Sequence, residues 1–470
     1  MQAVHRSPYA GSWYPDDAVE IQALLESAFA RSERRTGVYL PEQALAFVTP
    51  HAGPAYSGTV AAAVYRTIAR IRPEHIVVLA FPHRGGFSGV GIPDVERIST
   101  PLGELEVAPM PGVPRVEEPW VCDHSFEIQI PFLQRAAPEA RVTPLYVGAM
   151  GEEARRSAAD RLAAAWRPGM VFVASSDFNH YGHAFQYLPF PVDWDTGERL
   201  RELDLDCAEA AGSIDAGLFL RTVHEHRATV CGTDPIALLL EVLQQLAPGS
   251  IYQSVLDYQT SGELTGDFHH SVSYAALAYS RRESFDLSDS DGEALLHAAT
   301  ETLRCLRQTG ESRPVTARGS AALEGRRGMF VSLHRGGELL GCIGSLSGRD
   351  TLASAAGELA LSAALDDPRF RPAAETAGPM DVEISVLTPF RRILDSPQLR
   401  AGRHGALLKM SGRSGVLLPQ VATEHEWNAE QFLAALARKT HLAPRCWRDP
   451  KARLSVFEAQ VFARRGAVGS

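Results

Sequence analysis

The chain has 470 residues, 45% of them hydrophobic, and a formal net charge of −10 at pH 7. That is length enough for two or three separate cores. Only Lys409, Lys439 and Lys451 are lysines, and no basic run stands out, so the electrostatic footprint of a nucleic-acid binder is absent.

The pattern in chain order predicts a helix over 17–32, a strand over 44–49, a helix over 58–70 and a strand over 75–81. It continues with a helix over 127–136, a strand over 142–147, a helix over 152–165 and a strand over 170–174. Helices over 202–211, 215–226 and 235–247 and a strand over 271–279 complete the first part. The strand stretches are short, apolar and β-branched, the mark of strands buried on both faces. Their alternation with helices predicts a layered α/β unit with a largely parallel central sheet. The polar stretch 280–293 lacks apolar periodicity and reads as a linker with a helix N-cap near Ser290. From Glu293 an amphipathic helix begins. Strands at 329–334, 381–387, 415–418 and 455–463, with helices at 351–364 and 428–439, predict a smaller α+β unit. The expected organisation is 1–280, a linker over 281–292, and 293–470.

No apolar run is long enough to span a bilayer, and the opening MQAVHRSPYAGSWYP has no apolar core of signal-peptide type. The six cysteines, at 122, 207, 231, 305, 342 and 446, form no C-x-x-C pair. A disulfide framework is therefore not expected, and the cytoplasm is the simplest location.

Three strand ends carry the chemistry. ALAFVTP runs into His51, HIVVLAFP runs into His83, and MVFVA runs into Ser175-Ser176-Asp177-Phe178-Asn179-His180. Ligands of open α/β sheets collect at the carboxyl ends of strands, so the three histidines predict one pocket around a metal. Neutral imidazole suits zinc, copper, iron and nickel. The anionic candidates are Asp177, Glu127 and Cys231. Cys231 precedes the helix IALLLEVLQQL, where a thiol is expected to have a lowered pKa. Plainer roles are open to the same residues. A histidine after a strand can cap it, Cys231 can be a small buried hydrophobe, and His124 and Glu127 can belong to a helix capping box.

The motifs AGSWYP, TPHAGPAYSG, TPLGE, DHSFEIQIPFL, SSDFNHYG and VCGTDPI, in this order, resemble the Memo-like family. That family is similar in fold to class III extradiol ring-cleaving dioxygenases. The resemblance implies a non-haem metal, Fe(II) first and Cu or Zn second, bound by His51, His83 and Cys231. It implies His180 as general acid–base, with Asp177 orienting it or serving as an extra ligand. Trp13, Tyr56, His124 and Glu127 would bind a small aromatic or anionic substrate. The family's Gly-Pro-Ser-His motif reads Ala80-Phe81-Pro82-His83 here. The family is also described as a phosphopeptide-binding module, which leaves a metal-binding or phospho-ligand module without catalysis as the alternative.

The stretches RGMFVSLHRGGELLGCIGSL, ALDDPRF, DVEISVLTP and GVLLPQVATEHEW resemble the AMMECR family. Its Leu-Arg-Gly-Cys-Ile-Gly hallmark is Leu339-Leu340-Gly341-Cys342-Ile343-Gly344 here, with Leu340 in place of Arg. Cys342 is the candidate residue of this part, either as a nucleophile or as a small thiol in a tight strand. The two resemblances together imply proteins B and A of the AmmeMemoRadiSam system, fused. The implied partner is a radical S-adenosylmethionine protein, for which this chain would be a working subunit or an assembly factor. The chain itself lacks the C-x-x-x-C-x-x-C cluster motif.

Overall fold

The computed structural model describes residues 2–37, 41–117, 122–346, 348–373, 378–449 and 451–468. The chain divides into a unit Met1–Ser284 and a unit Phe285–Ser470.

Four parallel strands form the centre of the first unit, in the order Ala44–Thr49, Met170–Ser175, His75–Ala80 and Arg141–Val147. Each is buried along nearly its whole length, which is why its sequence is continuously apolar rather than alternating. The wings are antiparallel, so the complete sheet is mixed. His270–Arg281 pairs with Ala44–Thr49 on one side, and Val90–Pro93 pairs with Arg141–Val147 on the other. His270–Arg281 also forms a hairpin with Ile251–Thr260, a strand the sequence pattern did not predict. Gln253, Ser254 and Asp257 interrupt its apolar run, and a bulge between Val255 and Asp257 breaks its alternation.

The expected helix over 127–136 is two short ones, His124–Glu127 and Ile130–Ala136. Pro131 lies in the first turn of the second, where its missing N–H costs nothing. Asp123 caps the first by accepting from the Ser125 N–H at 2.9 Å. The stretch after the last strand continues as a 3₁₀ turn, Arg282–Phe285, and then the helix Asp289–Thr309. The cap of that helix is Ser288 rather than Ser290. Its extended backbone aims its hydroxyl at the Asp291 N–H, 3.2 Å away.

The second unit has two four-stranded antiparallel sheets. One orders Glu338–Ser345, Met329–Arg335, Met380–Leu387 and Ala459–Val468, and helices Asp289–Thr309 and Leu352–Leu365 pack on it. The other orders Arg391–Ile393, Arg453–Phe457, Gly405–Met410 and Arg413–Leu417, with helix Ala429–Lys439 against it. The expected strand 455–463 is therefore two strands, one in each sheet. Buried Glu458 stands at the switch, its N–H bonded to Thr388 Oγ1 at 2.9 Å. No helix among the described residues is long and apolar enough to cross a membrane.

Candidate metal centre

The order of the central strands builds the site. Met170–Ser175 lies between the strand that ends before His51 and the strand that ends before His83. Adjacent strands are about 4.8 Å apart, so both imidazoles can lean over the end of the middle strand. Their rings lie 5.1 Å apart, nearly perpendicular. Cys231 arrives from the turn before the helix Thr233–Leu246. One ligand atom each from His51, His83 and Cys231 lies within 4.8 Å of the others.

Gly232 is what lets the Cys231 turn come so close. A Cβ at that position would stand 2.4 Å from Ser176 Cβ and 2.7 Å from the Ser175 carbonyl oxygen. The Gly232 N–H instead donates to Ser176 Oγ at 2.9 Å.

The hydrogen bonds settle which ring nitrogens face the centre. Ser175 spends its hydroxyl proton on the Ser125 carbonyl, so it accepts from His51 Nδ1, 3.0 Å away. That leaves the His51 Nε2 lone pair facing Cys231 Sγ, at 3.1 Å. His83 Nδ1 donates to Asp123 Oδ1 at 2.9 Å, which again leaves Nε2 as the ligand atom. A carboxylate or hydroxyl behind each ligating imidazole is the usual support of a protein-bound metal.

Burial, and the nearby His124, His83 and His180, keep the His51 imidazole well below its usual pKa and therefore neutral. Burial also pushes the Cys231 thiol up, assisted by the Asp177 carboxylate. The lowering expected from the helix N-terminus is outweighed. A bound cation reverses this, because a coordinating thiol is deprotonated outright. The donor set fits such a cation. Bonds of about 2.0–2.3 Å bring ligand atoms to about 3–4 Å from each other, the spacing of His51 Nε2 and Cys231 Sγ.

The other candidate residues surround this centre in different ways. Asp177 is buried, and its Oδ1 accepts from the His51 and Ala52 N–H groups at 2.8 and 3.3 Å. It holds the strand-end backbone and does not orient His180. His180 is oriented by main-chain carbonyls, of Phe178 at 3.0 Å and Thr229 at 3.1 Å from Nδ1. Carbonyls only accept, so Nδ1 carries the proton and Nε2 is the basic atom. His124 stacks on His83 at 4.1 Å between ring centroids, and Trp13 lies 4.6 Å from His124. Burial pulls the His124 imidazole down to about 4. Trp13 and Tyr56 keep 39% and 49% of their surface exposed, so both offer an open aromatic face. Glu127 is fully buried and turned to His5, with Oε1 2.9 Å from His5 Nε2.

Sequence reasoning passed over Asp123, Ser175 and Tyr9. Nothing in the chain signals the pairing of Asp123 with His83, 40 residues away. Tyr9 packs edge-on to Trp13 and His124, with ring centroids 5.6 and 5.9 Å apart. Phe81 belongs to the stretch that departs from the Gly-Pro-Ser-His motif of the resemblance. Its backbone both donates to and accepts from Ser125 Oγ, and its ring meets His83 edge-on.

In the second unit Ser332 Oγ donates to Cys342 Sγ at 3.2 Å. The Cys342 N–H donates to Asp367 Oδ2 at 2.8 Å, and Arg369 ties Asp367 to the Cys342 carbonyl. The Arg369 guanidinium holds the Asp367 carboxyl down to about 2. A Cβ on Gly341 would meet the Ala363 carbonyl oxygen at 2.1 Å, and one on Gly344 would meet the Phe330 ring at 2.2 Å. Packing thus accounts for both glycines of the Gly-Cys-Ile-Gly stretch. Leu340 packs against the core of this sheet.

Comparison with known proteins agrees with this division. The Memo-like protein family matches residues 6–278, and the AMMECR1 family matches residues 296–462. A MEMO1 family protein of Desulfurococcus amylolyticus is 31% identical over 294 residues, covering 58% of this chain and 98% of that protein. Protein MK0488 of Methanopyrus kandleri is 37% identical over 189 residues, covering 37% of this chain and 89% of that protein. Among solved structures, the uncharacterized protein PH0010 from Pyrococcus horikoshii is 33% identical, covering 38% of this chain and 93% of its own, with a TM-score of 0.36. The chain belongs to the Memo-like family through residues 6–278, and an AMMECR1 region follows at 296–462.

Proposed function

We propose that the first unit is a non-haem iron oxidoreductase centre of the dioxygenase type, acting on a small aromatic, phenol-like molecule. The observation that carries this reading is the convergence of His51, His83 and Cys231, with both imidazoles held from behind through Nδ1. Iron held there supplies one-electron chemistry toward dioxygen. Three protein ligands leave open positions, the arrangement of catalytic rather than structural sites. The chain's own residues do the rest. Trp13, Tyr9 and His124 present aromatic faces against which a flat ring can stack. His180 offers a basic Nε2 for a phenolic proton.

Of the alternative, a metal-binding or phospho-ligand module without catalysis, the form that takes a phosphate with no cation is disfavoured by charge. The Asp123 carboxylate hydrogen-bonds to His83 of the centre, so a phosphate entering there without a cation meets a negative group. In the same proposal a radical S-adenosylmethionine protein works with this chain, and co-purification from cells expressing both tests that part.

The central test is elemental analysis of the full chain after anaerobic loading with Fe(II), followed by turnover of a catechol. We expect bound iron in the wild type, its loss in a His51→Ala/His83→Ala variant, and ring cleavage only in the former. Wild-type protein that stays metal-free overturns the reading.

A further inference from the structure

A second group of ligand-type side chains lies in the first unit and shares no residue with the centre above. One ligand atom each from His5, Cys122 and Glu127 lies within 4.8 Å of the others. Glu127 is 0% exposed. Its Oε1 is 2.9 Å from His5 Nε2, and its Oε2 has no hydrogen-bond partner among the described residues. A carboxylate oxygen sealed from water with no partner is costly, and it calls for an explanation. Protonated His5 would answer for Oε1 alone. A cation would answer for the whole carboxyl group.

We propose that His5, Cys122 and Glu127 form a second metal site, selective for a borderline-soft divalent cation of the zinc type. The donor set, one imidazole, one thiolate and one carboxylate, is that of protein-bound zinc. Hard cations such as magnesium prefer oxygen alone. Cys122 and Glu127 are buried, while the His5 side chain keeps 14% of its surface exposed. The cation therefore enters from the His5 side, and a water completes its fourth position there.

The site has a structural consequence for the first centre. His5 belongs to the strand Gln2–Arg6, and the chain continues from it to Tyr9 and Trp13, the aromatic wall over His124. Glu127 belongs to the short helix that also carries His124. A cation joining His5 to Glu127 pins the wall to the helix it packs against. This inference does not depend on which metal, if any, the first centre holds.

The experiment uses the full chain carrying His51→Ala and Cys231→Ala, which removes the first centre. Co(II) alone is the probe, because cobalt bound to a thiolate gives a near-ultraviolet charge-transfer band, and Zn(II) competition then gives the affinity. We expect one cobalt per chain with that band. Cys122→Ser should abolish the band, and His5→Ala should weaken binding at least tenfold. Folding is checked by circular dichroism, and His5→Ala, at the rim, keeps the test open should changes at buried Cys122 unfold the protein. A folded chain that binds no cobalt shows His5 and Glu127 to be an ion pair only and overturns the proposal. So does binding that survives both substitutions unchanged.

Discussion

His51 Nε2 and Cys231 Sγ stand 3.1 Å apart although 180 residues separate them in the chain. The contact exists because the Cys231 turn presses a glycine, Gly232, against the end of the strand Met170–Ser175. The His51 ring meanwhile is held from its other nitrogen by Ser175, the last residue of that same strand. One strand end thus sets the position of both groups.

Gly232→Ala should separate them. The added Cβ would overlap Ser176 and the Ser175 carbonyl, and overpacking of this kind costs about 1–3 kcal/mol. Thermal unfolding should show that loss, and iron binding should weaken with it. An alanine variant with wild-type stability and metal content would mean that the turn has room to give.

Asp123→Asn should keep the helix cap, because asparagine also caps, while weakening the support behind His83. Changes to such outer partners lower metal affinity by about 10–100-fold. Chelator competition measures this. Unchanged affinity in a folded variant would show that His83 needs no carboxylate behind it.

His180→Asn should separate binding from chemistry. Asparagine can still donate to the Phe178 and Thr229 carbonyls, but it has no basic nitrogen at the Nε2 position. If His180 moves the phenolic proton, kcat should fall about 10²–10⁴-fold with iron content intact. Wild-type turnover in this variant removes His180 from the mechanism.

The second unit should lose stability in mild acid through His404. Its Nδ1 accepts the Arg400 N–H at 3.1 Å, which requires an unprotonated nitrogen. Burial, with Arg391 beside it, lowers the imidazole from 6.5 to about 4. The unfolded chain thus binds the extra proton first. The stabilisation is complete above pH 6.5 and is lost as the pH falls from 6.5 to about 4. At about 1.4 kcal/mol per pH unit, the loss amounts to roughly 3–4 kcal/mol. Hydrogen-exchange protection of the strand Gly405–Met410 should fall over that window, and His404→Asn should flatten the dependence. A wild-type profile that is flat from pH 7 to about 4 contradicts the assignment.

The residues around Thr49, Ala80 and Ser175 show how much of the site was legible in advance. Each of the three parallel strands announces itself as a short apolar run, because burial on both faces admits little else. Each runs out near a residue that carries chemistry, so His51, His83 and Asp177 could be named from the chain alone. The hairpin strand Ile251–Thr260 could not, since a partly exposed strand with a bulge has no clean period. The split of 455–463 into two sheets was hidden for a related reason. Its apolar residues suit either sheet, and what distinguishes Glu458 is tertiary, including its contacts with Thr388 and Arg403.

Local sequence therefore determined the central strands, most of the helices and the types of side chain at the strand ends, because backbone preference and burial act over a few residues. The tertiary structure alone decided which nitrogen His51 and His83 present, that Asp177 holds backbone while Asp123 holds His83, and that Glu127 turns inward to His5. Those outcomes rest on hydrogen bonds between atoms 40 to 126 residues apart in the chain, which only the packed sheet brings within reach.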